Sequence, residues 1–345
     1  MPNLSDLTQY EEKAISSGGN IKIAGTVVSN AVYGDEPGEK QNLYLHGTSS
    51  NPIEIHGTVV VRGDVLITGV VKGQGAIYSG GNVFIPNNLN YADPPSSSRP
   101  ADGTEAATEA WLTANKNKDF LGLFAKENVV LGDYTNSYWQ NYVSNWLGNP
   151  MNASEEDAGE DQVPNTKNGR DGSPGTADDD LLEGDGQWTT EKYTAEDQAL
   201  GLIPPGKSVG DPIPGTGEDI DGDGVYDPTL TVADLQVKDP LTPSKWGGNI
   251  PGTGISNYSD IASIYMTNLD GVFYTNHAFA WLTVPGTDIN VNGAIISRNE
   301  SIIYGGKIYM NYDARMLGGK NGVAGDLLPV TPKSIRILSW QILEL

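Results

Sequence analysis

The chain has 345 residues, with 44 Asp and Glu against 21 Lys and Arg and a net charge of −23. That balance argues against nucleic acid and anionic lipid as partners, since both need clustered Lys and Arg. It has no cysteine, which excludes disulfides, zinc–thiolate centres and thiol catalysis.

Residues 1–18 form a polar N-terminal segment with a short helix expected over 7–15. From Gly19 apolar residues alternate with others: Ile21, Ile23, Gly25, Val27, then Leu43, Leu45 and Gly47 after a turn-rich break over 33–42. Between Ile53 and Ile85 every odd position is small or apolar, and glycine recurs at 57, 63, 69, 75 and 81. Strict alternation is a strand signal, because side chains alternate faces. One flat strand of that length is far outside the usual range. The glycines resolve this by permitting corners, where a Cβ would clash or φ must be positive. The predicted fold is mostly β, a parallel β-solenoid of short strands joined at corners.

The even positions face outward. Glu54, Arg62, Asp64, Thr68, Lys72, Gln74 and Asn82 are polar, but Val60, Leu66, Val70, Tyr78 and Phe84 are not. With three sides of six residues, about 18 per turn, Val60 stacks on Tyr78 and Leu66 on Phe84. Two outer walls then carry apolar stripes that something must cover. The candidates are an aromatic insert around Trp139 and Trp146, a terminal strand with Trp340, or another molecule.

The first half of the solenoid spans 19–91, and a long insert is expected over 92–270. Within it, 104–148 reads as helical and aromatic, with a helix over 104–114, Thr104 as its N-cap and a strand over 128–131. Tyr138, Trp139, Tyr142, Val143 and Trp146 share one helical face, read as packing or, alternatively, as a sugar-binding aromatic platform. Residues 151–235 are the acidic part; 151–230 alone hold 20 Asp and Glu against Lys167, Arg170, Lys192 and Lys207. So few branched aliphatics cannot bury enough surface to fold unaided. Residues 271–345 resume the solenoid. Ile289, Val291, Gly293, Ile295 and Ser297 alternate, then the phase shifts at Gly305-Gly306, and a strand is expected over 334–345.

The sharpest chemical motif is Asp219-Ile-Asp221-Gly-Asp223-Gly224-Val225-Tyr-Asp227. Acids at loop positions 1, 3, 5 and 9 with glycine at 6 suit calcium, a hard cation that takes six to eight oxygens. Asp219, Asp221, Asp223 and Asp227 supply carboxylates and Val225 a backbone carbonyl. Leu230 stands where the usual twelfth-position acid would be, so Asp227, Asp234 or a residue from elsewhere is expected to supply the bidentate ligand. A second loop offers Asp171, Ser173, Asp178, Asp179 and Asp180 to another calcium ion, with Glu183 and Asp185 nearby. Catalytic motifs are not legible. The three histidines are His46, His56 and His277, and no nucleophile elbow, phosphate loop or His-Glu-x-x-His is present.

The ladder at 57–85 resembles the bactofilins, which implies a triangular, right-handed β-helix with three short strands per turn. Gly-Ala-Ile-Tyr-Ser-Gly-Gly-Asn-Val-Phe-Ile-Pro (75–86), Asn-Gly-Ala-Ile-Ile-Ser-Arg-Asn-Glu-Ser-Ile-Ile-Tyr (292–304) and Asn-Tyr-Asp-Ala-Arg (311–315) resemble PilX-like type IV pilus accessory proteins, as do the acidic Asp-x-Asp-x-Asp-Gly inserts. That resemblance implies a non-enzymatic surface role.

The expected function is therefore a calcium-binding bacterial surface protein, structural or adhesive, within a pilus or other extracellular filament. Its partners would be other filament subunits, with polysaccharide as a further candidate. No stretch is long enough to span a membrane, and with no leader pattern at Met1-Pro2-Asn3 the chain reads as the soluble part of a longer precursor. Two other readings stay open: a carbohydrate-active β-helix enzyme, lyase or hydrolase, and a bactofilin-like cytoplasmic polymer.

Overall fold

The computed structural model describes residues 4, 7–96, 100, 102–145, 147, 175, 190–193, 195–200, 203, 205–217, 231–297 and 300–317. The chain starts with helix α1 (Thr8–Ser17), then β1 (Asn20–Ile23), β2 (Thr26–Asn30), β3 (Val32–Tyr33) and β4 (Asn42–Gly47). The predicted ladder becomes β5 (Ile53–Val61), β6 (Val65–Ser79) and β7 (Val83–Ile85), followed by β8 (Leu89–Tyr91). Next come α2 (Glu105–Asn115), β9 (Phe120–Ala125), β10 (Val129–Leu131) and α3 (Ser137–Ser144). A separate two-stranded sheet joins β11 (Thr190–Lys192) to β12 (Pro212–Gly217), with α4 (Ala195–Leu200) between. The chain continues through β13 (Trp246–Gly248), β14 (Asn268–Thr275), β15 (Ala278–Leu282), β16 (Ile289–Ser297), β17 (Glu300–Tyr304) and β18 (Ile308–Asn311).

All strands except β11 and β12 belong to one large sheet, and nearly all its pairings are parallel. Three pairing series run through it. The first is β13, β4, β6, β7, β10, β15 and β17, in which Leu66 lies beside Phe84 and Val129 beside both Val83 and Phe279. In the second, β3, β5, β6, β9, β14 and β16 align Val60, Tyr78, Phe124, Tyr274 and Ile296. The third joins β5, β6, β8, β14, β16 and β18 through Ile53–Val71, Val71–Tyr91, Leu89–Leu269, Leu269–Val291 and Val291–Met310. Successive parts of β6 serve all three series. The predicted neighbours pair as expected, Val60 with Tyr78 and Leu66 with Phe84, 18 residues apart.

The glycines act as read. Gly69 has φ +93°, and a Cβ there would run into the Gly47 carbonyl. Gly75 has ordinary φ, but a Cβ would strike the Ile55 side chain on the paired strand.

Burial follows the alternation. The odd-numbered Ile53, Ile55, Val59, Val61, Val65, Ile67, Val71, Ile77, Val83 and Ile85 all lie in one apolar cluster, with Leu121, Leu131, Phe273, Phe279 and Trp281. Each of the two predicted outer stripes has its own cover. Tyr44, Leu66, Phe84, Val130 and Ala280 pack under Tyr134, Trp139, Val143, Leu241 and Tyr258. Val60, Ala76, Tyr78, Phe124 and Tyr274 pack under Leu4 and α1, through Tyr10 and Ala14. Leu66 and Phe84 are fully buried. Trp139 is the predicted cover residue, whereas Trp146 and Trp340 lie outside the described residues. The role of α1 is new.

Two readings are corrected. The stretch 92–270 is not wholly an insert between two halves, because β9 and β10 continue the sheet between β6 or β7 and β14 or β15, and β13 joins β4. The other correction is local. The alternation at Ile21–Val27 predicts another step of the parallel ladder. Instead Ala24 (φ 50°) and Gly25 (φ 77°) turn the chain back, so β1 and β2 form an antiparallel hairpin, and β1 pairs antiparallel with β5. The hairpin covers the β5 part of that edge, while β3 and β13 have no outer partner there among the described residues. At the opposite edge, among the described residues, β17 and β18 have no outer partner.

Candidate functional site

The outer face of the third series is polar where the other two are apolar. Asn88-Leu-Asn90, Asn268-Leu-Asp270 and Asn290-Val-Asn292 repeat one pattern, and Leu89, Leu269 and Val291 are in register. The central aliphatic residue points into the core, so its neighbours point out together. Stacked strands lie about 4.8 Å apart, which brings like side chains within reach of each other.

The resulting ladder has a direction. Asn311 Nδ2 donates to Asn292 Oδ1 at 2.9 Å, and Asn292 Nδ2 donates to Asp270 Oδ1 at 2.7 Å. Asn268 Nδ2 donates to Asp270 Oδ1 at 2.8 Å and to Asn90 Oδ1 at 2.9 Å. The second Asp270 oxygen accepts from the Tyr91 backbone N–H at 2.8 Å. Asp270 is therefore a buried carboxylate held by three donors, and it anchors one end of the ladder.

Beside it the chain after β18 folds into a 3₁₀ turn, Ala314–Leu317. There Arg315 is fully buried and forks onto Asp313, Nη2 to Oδ2 at 2.6 Å and Nε to both oxygens at 3.0 Å. Its remaining donors reach the carbonyls of Asn115, Lys118 and Asp119 at 3.3, 2.8 and 2.8 Å, and its plane lies over Phe120. The pair pins the turn to the end of α2. Together with the Tyr91–Pro95 loop it walls a cavity of about 120 Å³ lined by Tyr91, Pro94, Pro95, Asp270, Asn292, Asn311 and Asp313. Burial pushes the Tyr91 hydroxyl well up, although it accepts from the Leu121 N–H at 3.0 Å. Tyr312 is also raised, by burial first and then by the Asp313 charge.

A larger groove of about 500 Å³ runs between 237–242 and 253–258. Its aromatic wall is Tyr134 stacked on Tyr258 at 4.1 Å, the same pair that covers Phe84.

The sequence-predicted calcium ligands Asp219, Asp221, Asp223, Val225 and Asp227, and Asp171, Ser173, Asp178, Asp179 and Asp180, all lie outside the described residues. Asp234 is described, and its carboxylate accepts from Thr231 N and Oγ1 at 2.8 and 2.6 Å. Among the described residues no group of three His, Asp or Glu is placed to hold a metal ion, and no helix is long and apolar enough to cross a membrane. His46 and His56 are exposed and His277 is buried.

The Asn/Asp ladder and the Asp313–Arg315 pair were not singled out from sequence. The ladder had a signal, three Asn-apolar-Asn/Asp triplets, visible once strands are aligned by their central residue. The pair had none, because nothing local links residue 315 to the carbonyls of 115–119. No family model, curated protein or solved structure matches the chain.

Proposed function

We propose that the large sheet coils as a triangular, right-handed β-solenoid of about 18 residues per turn, and that this solenoid is a non-catalytic structural subunit joining a second copy through its open end. One observation carries this. Ile308 and Met310 continue the register of Ile289 and Val291. Those two are fully buried, yet Ile308 is 42% and Met310 52% exposed. They are core residues with no strand above them among the described residues, and an open apolar edge is a template for pairing. At the first edge the β1–β2 hairpin turns one series back on itself, and we place the contact between copies at the opposite end, where Ile308 and Met310 lie, so that two copies form a closed pair.

The acidic charge, the Asp-x-Asp-x-Asp-Gly loop and the resemblance to PilX-like pilus proteins support an extracellular post in a pilus or similar filament, with calcium holding the acidic loops. Light scattering on the full chain tests the contact. A dimer is expected, dissociated by the Ile308→Glu/Met310→Glu variant with its circular dichroism intact. A monomer at micromolar concentration would sink the proposal. So would a monomeric Met310→Cys variant whose only thiol resists a thiol reagent, since the end would then be covered from within the chain.

A further inference from the structure

We infer that the cavity beside the Asn/Asp ladder is a binding site for a single neutral sugar ring. This stands apart from the proposed end-to-end contact, which uses the apolar edge and not the polar face.

Size sets the first limit. About 120 Å³ is well below the ~300 Å³ at which pockets for drug-sized ligands begin. It holds several waters, at about 30 Å³ each, or one small ring.

The lining sets the chemistry. Pro94 and Pro95 present two apolar rings, and Asp270, Asn292, Asn311 and Asp313 present carboxylate and amide groups. A ligand that suits both needs an apolar flank and several hydroxyls, which is what a pyranose offers. Charge argues against a bare cation. Arg315 neutralises Asp313 with a two-pronged ion pair, and three donors already engage both Asp270 oxygens. These oxygens keep lone pairs for a hydroxyl proton but do not converge as an open coordination shell.

The site is also rigid before binding. Asn292 is held from both sides, by Asp270 and by Asn311, and Asp313 is fixed by Arg315. Little side-chain freedom is lost on binding. Among the described residues Asn311 Oδ1 meets no donor, which leaves one oriented acceptor at the outer end of the ladder for a ring hydroxyl. The cavity lies on the polar face of the third series, outside both of the large apolar covers of the other two.

Saturation-transfer NMR on the full chain tests this with glucose, galactose, mannose and N-acetylglucosamine, each with and without EGTA. At least one sugar is expected to bind with a Kd on the order of millimolar. Asn311→Ala and Pro94→Ala, both changes at the cavity rim, are expected to weaken it about tenfold or more, while Tyr265→Ala, at an exposed position elsewhere, leaves it unchanged. Three outcomes overturn the inference: no transfer from any of the four sugars, binding indifferent to both rim variants, or binding lost in EGTA, which would make the ligand site a metal site.

Discussion

At the scale of single residues, Arg315 makes the clearest claim. A guanidinium with no exposed surface survives only because every donor is engaged. Removing Asp313 leaves that charge buried and uncompensated, so Asp313→Ala should cost about 3–5 kcal/mol in urea unfolding. The double variant Asp313→Ala/Arg315→Met removes the orphaned charge and should recover part of the loss. A double variant less stable than Asp313→Ala would show that the other contacts of Arg315, to the end of α2 and to Phe120, matter more than its charge. In the sequence, Asn311-Tyr-Asp313-Ala-Arg315 gives no sign that Arg315 is buried. The burial of Arg315 depends on α2, about 200 positions earlier, and no periodicity carries that. Gly69 and Gly75 are the opposite case. Their role follows from a repeat of six, because a corner and a close backbone approach are local demands.

At the scale of elements, alternation and capping were legible. The Thr104 side chain accepts from Ala107 N at 3.2 Å, as an N-cap should, and α2 begins at Glu105. Helix α1 was expected near its place, but its task was not. It ends at Gly18 with φ +65° and lays Tyr10 on Tyr78, rings 4.4 Å apart. Tyr78 in turn stacks towards Phe124 at 4.7 Å. An N-terminal helix therefore closes one wall of the sheet. Burial holds the Tyr10 hydroxyl in its neutral form, with its pKa pushed up to about 12. Tyr10→Ala should cost roughly 3–5 kcal/mol, as loss of a buried aromatic does, and should expose Val60 and Tyr78. Unchanged stability would mean that α1 rests on the wall without stabilising it. The stripe itself was readable from Val60 and Tyr78. Which segment covers it was not, because several apolar candidates competed.

At the scale of the whole molecule, the net charge of −23 sets a condition on stability. Like charges repel, and those of the acidic insert are dense. If the two acidic loops bind calcium only in the folded chain, each adds about 2.7 kcal/mol at a calcium level 100 times its Kd. The melting temperature should rise with calcium and fall in EGTA, and Asp221→Ala with Asp223→Ala should remove much of the rise. A melting curve indifferent to both additions rules the loops out as calcium sites. The parallel architecture was legible from the ladder, but not the antiparallel β1–β2 hairpin, which hangs on a tight turn at Ala24-Gly25. One pairing has a consequence in time. Val129 of β10 joins Val83 on one side and Phe279 on the other, 150 positions further on. A ribosome adding ~5–20 residues per second needs roughly 8–30 s to deliver that second neighbour. Throughout that interval the nascent chain carries a half-built sheet in which β10 lacks its partner β15, so the quality of this protein in the cell should depend on how well the wait is chaperoned.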